Sequence, residues 1–401
     1  MMATVSEAQV FVPAPTAGAR SQKLTLLALA LGSFSIGTSE FASMGIIQLF
    51  SDSLGISVPE ATNAITAYAF GVVIGAPLVT LAAARLNRRT LLLLLMGLFV
   101  VGNVLSAVAS NLGFLMLARF VSGLPQGAYF GAGAVVASYI VGPGQAGKAF
   151  AIVMTGLTVA TIVGSPLATF LGQTIGWRET YLAVAAFSML AFGAIWQWVP
   201  RTKALDGVPV IQEISALRRG EVWGVMLVAA LGVASIFAVY TFIAPMVTDV
   251  VKLAPEMVPV ALALFGLGMT AGNIYGGKLA DLYPARGIVI GFGSALVILA
   301  ALAAGGGHSW VFFPAMFGVG AAMMAAIPTI QVRLTKLAPE APSLMGAMNL
   351  ASLNVANAVG AWAGSVTIAA GYGLLSAAWA GFAVTSAGLV IFGLTLLLRS
   401  R

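Results

Sequence analysis

Two ionisable residues stand where their charge is expensive. Glu40 lies in GTSEFASMG (37–45) and Arg119 in ARFVSGLPQGAYFG (118–131), both inside long apolar stretches. Of twelve acidic residues only Glu40 is well inside such a stretch, and Arg119 is the basic residue at comparable depth. Ionisable groups placed there usually face a cavity or a partner. A carboxylate whose surroundings alternate between dry and wet can load and release a proton, while a nearby guanidinium stays charged and favours the anion. A fixed Glu40–Arg119 pair that only orients two helices is the competing reading. Arg119 shares a helix face with Gly123, Gln126 and Phe130, so Gln126 and Phe130 are candidate cavity residues, with Tyr129 beside that face. Further along the chain, Tyr240 and Phe242 fall near the depth of Glu40, and Asn354 and Asn357 lie one turn apart. Amides also simply join membrane helices by hydrogen bonds, and the sequence leaves both roles open.

The elements that must position these groups are membrane helices. Hydrophobic residues make up 60% of the 401 and charged residues 8%, too much apolar surface for a soluble domain to hide. Apolar runs of about eighteen residues or more recur, each able to cross a core of roughly 30 Å. They predict spans at 24–49, 61–83, 91–109, 112–141, 149–175 and 180–199, then 222–248, 258–280, 287–305, 310–332, 343–368 and 374–398. Helix one then places Glu40 about 14 Å from its outer end, and helix four places Arg119 roughly 10 Å from the same face, so the two can meet. Residues 1–22 read as a disordered tail, 23–199 as one six-helix bundle, 200–221 as a linker and 222–401 as a second bundle. The linker charges, from Arg201 to Arg219, read as an amphipathic surface segment at the inner membrane face.

Sixteen of the nineteen Lys and Arg residues fall on the tail and alternate loops, which puts both termini and the linker in the cytoplasm. The net charge of +7 therefore reflects topology, not nucleic-acid binding. Cysteine is absent and the single histidine, His308, sits in a loop, so no metal site, cofactor site or nucleophile–base cluster is expected. No GxxxxGK[ST] phosphate loop occurs, which excludes an ATP-driven pump within this chain.

The two bundles repeat one another. GLTVATIVG (156–164) and SLNVANAVG (352–360) agree at five of nine positions, and the spacing of Gly71 and Gly75 recurs in Gly272 and Gly276. Such repeats are common in secondary transporters, and small residues at this spacing let helix backbones approach closely.

Together with the motifs of the first, fourth and fifth helices, the last reading GLTVATIVGSPLATFLGQTIGWR (156–178), the chain resembles the major facilitator superfamily, in its drug:proton antiporter branch of arabinose-efflux-like permeases. The resemblance implies an all-α membrane protein of twelve helices in two pseudo-symmetric six-helix bundles. It ties Arg119, Gly123 and Gly127 to proton transfer. It also gives Gly156, Gly164, Pro166 and Gly172 the role of an antiporter motif, a kinked, glycine-faced helix packed against the other half. The family's loop between helices two and three carries an aspartate ahead of a basic cluster. Here AARLNRRT keeps Arg85, Arg88 and Arg89 without an acid, whereas the second half keeps GGKLAD, ending at Asp281, as a cytoplasmic gate residue.

The resulting expectation is a multi-pass protein of the bacterial inner membrane, acting as a monomer. It would export a small neutral or weakly polar solute, such as a drug, sugar or nucleoside-like compound, in exchange for protons by alternating access. Symport, uniport and a non-transporting sensor are the alternatives on the same scaffold.

Overall fold

The computed structural model describes residues 19–56, 58–254, 257–283 and 286–399. Most of the tail, residues 1–18, lies outside the described residues. The first helix, α1 (Ala19–Gly45), takes in the last residues of the segment read as tail, and the short α2 (Ile47–Leu54) follows it across a break at Ile46. Then come α3 (Val58–Ala82), α4 (Arg88–Ala107), α5 (Leu112–Val141) and α6 (Ala146–Val159). A π-helical turn at Ala160–Gly164 joins α6 to α7 (Ser165–Ile175), which leads to α8 (Trp177–Trp198). The linker holds a 3-10 turn at Lys203–Leu205 and α9 (Val210–Leu217).

The seventh apolar run is broken into α10 (Gly220–Gly232), α11 (Ala234–Tyr240), α12 (Ile243–Pro245) and a π turn at Met246–Val250. Then follow α13 (Val258–Leu282), α14 (Arg286–Gly305), α15 (Ser309–Leu337), α16 (Pro342–Thr367) with a π turn at Ile368–Tyr372, and α17 (Ser376–Arg399). Among the described residues ten helices are long and apolar enough to cross a membrane. The exposed tryptophans among the described residues fall near the two ends of the bundle: Trp196 and Trp223 near the linker, and Trp310, Trp362 and Trp379 at the opposite end. Amphipathic rings favour the two membrane–water boundaries, so these positions bracket the lipid-facing band.

Lipid offers no hydrophobic drive for helices to associate, so packing depends on backbone approach. Gly71 and Gly75 of α3 face the carbonyls of Phe120 and Leu124 on α5, where a Cβ would stand 2.3 Å from each oxygen. Gly272 and Gly276 of α13 face the carbonyls of Ala321 and Ala325 on α15 in the same way, at 2.1 and 2.5 Å. The repeated glycine spacing thus builds the same helix pair twice. Each pair carries polar residues into the interior on its partner helix.

The kink in the fifth apolar run has a local cause. Pro166 has no N–H for the carbonyl one turn back, and its ring crowds that carbonyl. The π turn just before it widens the helix and absorbs the mismatch.

Gly71→Ala should lower the thermal unfolding midpoint of the purified protein, because overpacking of this kind costs about 1–3 kcal/mol. Gly97→Ala, where a Cβ would meet nothing within 4 Å, should leave the midpoint unchanged. Equal midpoints for the two variants would show that the α3–α5 contact can yield.

Candidate functional site

Arg119 is buried to 1% exposure and is held by neutral groups. Its Nη1 donates to the hydroxyl of Ser39 at 2.9 Å and its Nη2 to the Ser39 carbonyl at 3.2 Å. The guanidinium lies over the ring of Tyr68, 4.5 Å from the centroid, and 5.2 Å from that of Tyr181. Both aromatic contacts are within cation–π range, and desolvation strengthens them. Ser39 in turn donates to Asn103 Oδ1 at 2.7 Å, which ties α1 to α4. Glu40 and Arg119 make no ion pair within 4 Å. Ser39 takes the guanidinium, and its neighbour Glu40 turns toward the space between the helix sets.

Glu40 accepts a hydrogen bond from Gln126 Nε2 at 3.0 Å, and Gln126 Oε1 accepts one from the Tyr68 hydroxyl at 2.6 Å. The phenol can only donate to the amide oxygen here, so it fixes which end of Gln126 points at the acid. Tyr68 therefore links the fixed cation to the acid through one ring and one amide. Carboxyl groups in such a chain can gain or lose a proton while the surrounding charge stays in place.

Glu40 and Gln126 form the polar wall of a cavity of about 590 Å³, counting the part open to solvent, of which about 40 Å³ admits the centre of a water molecule. That is room for roughly three waters. The first six apolar runs also supply Phe41, Leu157 and Thr161. The later ones supply Phe237, Tyr240, Phe265, Met269 and Met324, with Asn354 and Asn357 as their polar side chains. Glu40, Gln126, Tyr240, Asn354 and Asn357 thus meet around one space.

Tyr129, Phe130 and Phe242 do not line it. The Tyr129 hydroxyl donates to the Leu29 carbonyl at 3.0 Å, with its ring over Gly32. Phe130 is fully buried and packs edge-on against Tyr129. The next residue, Gly131, abuts the Ser343 carbonyl of α16. Phe242 follows the break after α11 and packs against Gly364.

The antiporter-motif glycines also find a different partner from the one expected. Gly156 abuts the carbonyl of Ala30, Gly164 the hydroxyl of Thr38 and Gly172 the side chain of Ile46, so this glycine face packs on α1 and the residues just after it. Pro166 is exposed. The face of α6 that meets the later helices carries Gly147 and Ala151, against Ala280 and Gly277 of α13.

The gate residues are dispersed over the linker end. Asp281 reaches from α13 to the start of α6, accepting from the amides of Gly147 at 2.7 Å and Lys148 at 3.0 Å. An anion at a helix N-terminus satisfies orphan donors and meets the positive end of the dipole. Arg85 is exposed, Arg89 donates to the Trp196 carbonyl, and Arg88 pairs with Glu213 at 3.2 Å, the two side chains being 2% and 0% exposed. The linker is thus docked into the fold on one face, while Ile211 of α9 stays 67% exposed. Burial pushes the Glu213 carboxyl above the ordinary range, against the pull of Arg88. A second and larger cavity, of about 1700 Å³ counting the part open to solvent, lies at this end, lined by Ser138, Tyr139, Gln331, Thr335 and the linker residues Ala204 and Leu205. Between the two cavities Gly131 lies against the Ser343 carbonyl and the backbone of Gly346.

A many-helix membrane protein with an acid-bearing cavity between its two sets of helices is a transporter architecture. A sequence profile of the Major Facilitator Superfamily matches residues 29–361, and the chain belongs to that family. It is 39% identical over 374 residues to the inner membrane transport protein YdhP of Escherichia coli K12, covering 93% of this chain and 94% of the relative. It is 33% identical over 374 residues to a chloramphenicol resistance protein of Streptomyces lividans, covering 92% and 95%. The fold matches the crystal structure of the transporter FucP in its outward conformation with a TM-score of 0.72, over 94% of this chain and 99% of that one, at 15% identity. The protein is thus a multi-pass membrane transporter of the superfamily's fold.

Sequence reasoning did not find Ser39, Tyr68, Asn103 and Tyr181. Hydroxyls and amides on apolar helices carry no spacing signal of their own, although Ser39 adjoins Glu40 in the chain. Tyr68→Phe should leave Gln126 Oε1 buried without a donor, at a cost of about 1–3 kcal/mol, and should also weaken transport. Tyr129→Phe should lower thermal stability while leaving substrate affinity unchanged. Binding titrations and melting curves on the two variants separate these outcomes.

Proposed function

We propose that this protein is a secondary active transporter that exports a small neutral or weakly polar, partly aromatic solute in exchange for protons, by alternating access. The observation that carries this reading is the position of Glu40. It is an acid at membrane depth, it lines the cavity, and no ion pair locks it.

The solute class follows from the rest of the wall. Phe237, Tyr240 and Phe265 offer ring faces, and Met269 and Met324 are flexible apolar groups that accommodate varied shapes. Asn354, Asn357 and Gln126 provide a few donors and acceptors. The helices after the linker bring no charged group to the cavity, which suits a solute without a strong charge. The resistance protein among the relatives fits such a compound. Drug-sized ligands need about 300–1,000 Å³, and only about 40 Å³ of this cavity admits the centre of a water molecule, so it must widen on loading.

In this reading α5 and α16, at 30 and 26 residues, also cross the membrane, giving twelve spans in two six-helix bundles, 23–199 and 222–401. Their polar residues lower their hydropathy because they face protein and cavity, not lipid. Termini and linker are cytoplasmic, in a bacterial inner membrane, and the close contacts at the linker end hold the cytoplasmic side shut. Protons are the coupling ion, and the working unit is a monomer.

The test is proteoliposomes with a pH-sensitive dye inside and an imposed proton gradient, with chloramphenicol, pentoses and nucleosides as candidate solutes. Wild type should move protons when a transported solute is added. Glu40→Gln should lose that coupling and keep solute binding or exchange. Proton movement of wild-type size in Glu40→Gln would sink the coupling role.

A further inference from the structure

The helix α4 opens on two arginines, and a cation in the first turn of a helix meets the positive end of its dipole. Arg88 is answered by the Glu213 carboxylate. Arg89 is not. Among the described residues it makes no ion pair, although it is buried to 7% exposure. Its Nη2 donates to the Trp196 carbonyl, and its Nε has no hydrogen-bond partner.

A second guanidinium comes to the same place. Arg201, just past the end of α8, lies 5.2 Å from the centroid of the Trp196 ring, and Arg89 lies 5.1 Å from it. Arg201 is exposed and likewise without an ion pair among the described residues. An indole face attracts each cation but carries no net charge, so two like charges share one ring with no anion between them. The ring itself is 54% exposed, at the rim where tryptophan marks the membrane boundary. Thr25 donates to the Trp198 carbonyl at 2.6 Å, which brings the first turns of α1, with the exposed Arg20 and Lys23, to the same rim. Neither Arg89, Trp196 nor Arg201 lines either cavity.

We infer that this corner is a binding site for an anionic phospholipid, with the phosphate between Arg89 and Arg201 and an acyl chain along the exposed ring of Trp196. Guanidinium forks match phosphate oxygens, and the headgroup supplies the anion that the start of α4 lacks. A zwitterionic headgroup brings its own ammonium to a corner already rich in positive charge, so the site favours a net negative lipid. A free phosphate would meet the same guanidiniums but leave the ring uncovered. The site lies on the outside of the helix sets, and it stands whether or not the protein exchanges a solute for protons.

The test is a titration of the purified protein in detergent with phosphatidylglycerol brominated in its acyl chains, and separately with the matching phosphatidylcholine. Brominated chains quench nearby indoles, so tryptophan fluorescence reports binding. Phosphatidylglycerol should reach half-quenching at a concentration at least roughly fivefold lower than phosphatidylcholine. Arg201→Gln and Arg89→Gln should each weaken phosphatidylglycerol binding roughly fivefold and leave phosphatidylcholine unchanged, as expected for one arginine at a lipid surface. Arg201 is in an exposed segment, so its variant carries the test if Arg89→Gln does not fold. Trp196→Phe should remove most of the quenching that separates the two lipids. Lys336→Gln, which deletes an exposed charge elsewhere at the linker end, should change neither curve. Millimolar inorganic phosphate should not relieve the quenching, and relief would mark a free-anion site in place of a lipid site. Equal curves for the two lipids in wild type, unchanged curves in Arg201→Gln, or an equal loss in Lys336→Gln would overturn the inference.

Discussion

The interior of this protein is arranged around a charge that cannot be removed. A bare guanidinium at membrane depth is costly. The fold surrounds that of Arg119 with a serine hydroxyl, a serine carbonyl and two tyrosine faces, and makes no ion pair with Glu40, while Nε is left without a hydrogen-bond partner. That choice has a consequence for chemistry. A Glu40 carboxylate locked to Arg119 would be a structural ion, whereas Glu40 is held by the Gln126 amide at the cavity wall, the arrangement that the proposed proton exchange requires.

The helices that carry these groups are held by two kinds of contact. Inside each set, glycines place backbone against carbonyl, as at Gly71–Phe120 and Gly272–Ala321, with no side chain free to slide. Between the sets, at the linker end, the backbone contacts are accompanied by the Asp281 carboxylate of α13, which ends on the first-turn amides of α6. Contacts of the first kind suit bodies that move as units. The second kind can be unmade by moving a charge away from a donor, which costs far less than unpacking a helix pair.

Much of this was legible before any coordinates, for reasons that differ by feature. Span positions follow from the length and apolarity that lipid demands, so runs such as 112–141 coincide with α5. Glu40 and Arg119 were visible because charge at depth is rare. Their relation was not, since spacing and depth cannot tell whether Arg119 reaches Glu40 or the adjacent Ser39. Phe130, named beside Gln126 from helical periodicity, lies outside the cavity and packs on Tyr129. The burial of Glu213 could not be read either, because a lone acid in a polar linker looks like any solvated residue.

The repeat itself shows how two similar halves acquire different tasks. Aligning GLTVATIVG with SLNVANAVG places Leu157 opposite Leu353 and Thr161 opposite Asn357, and all four line the cavity. The same register sets Pro166 opposite Trp362. The first half, with proline, turns π-helical at 160–164, whereas α16, without it, stays α-helical to Thr367. One side of the cavity is therefore lined by a bent helix and carries Glu40 and Gln126. The other presents a straighter helix with two amides, beside aromatic and methionine side chains. A proton site needs a fixed charge and a rigid hydrogen-bond chain, while a wall that meets varied solutes needs adaptable apolar contacts. In the proposed exchange, dividing the two tasks between the halves would let each surface satisfy one demand without compromising the other.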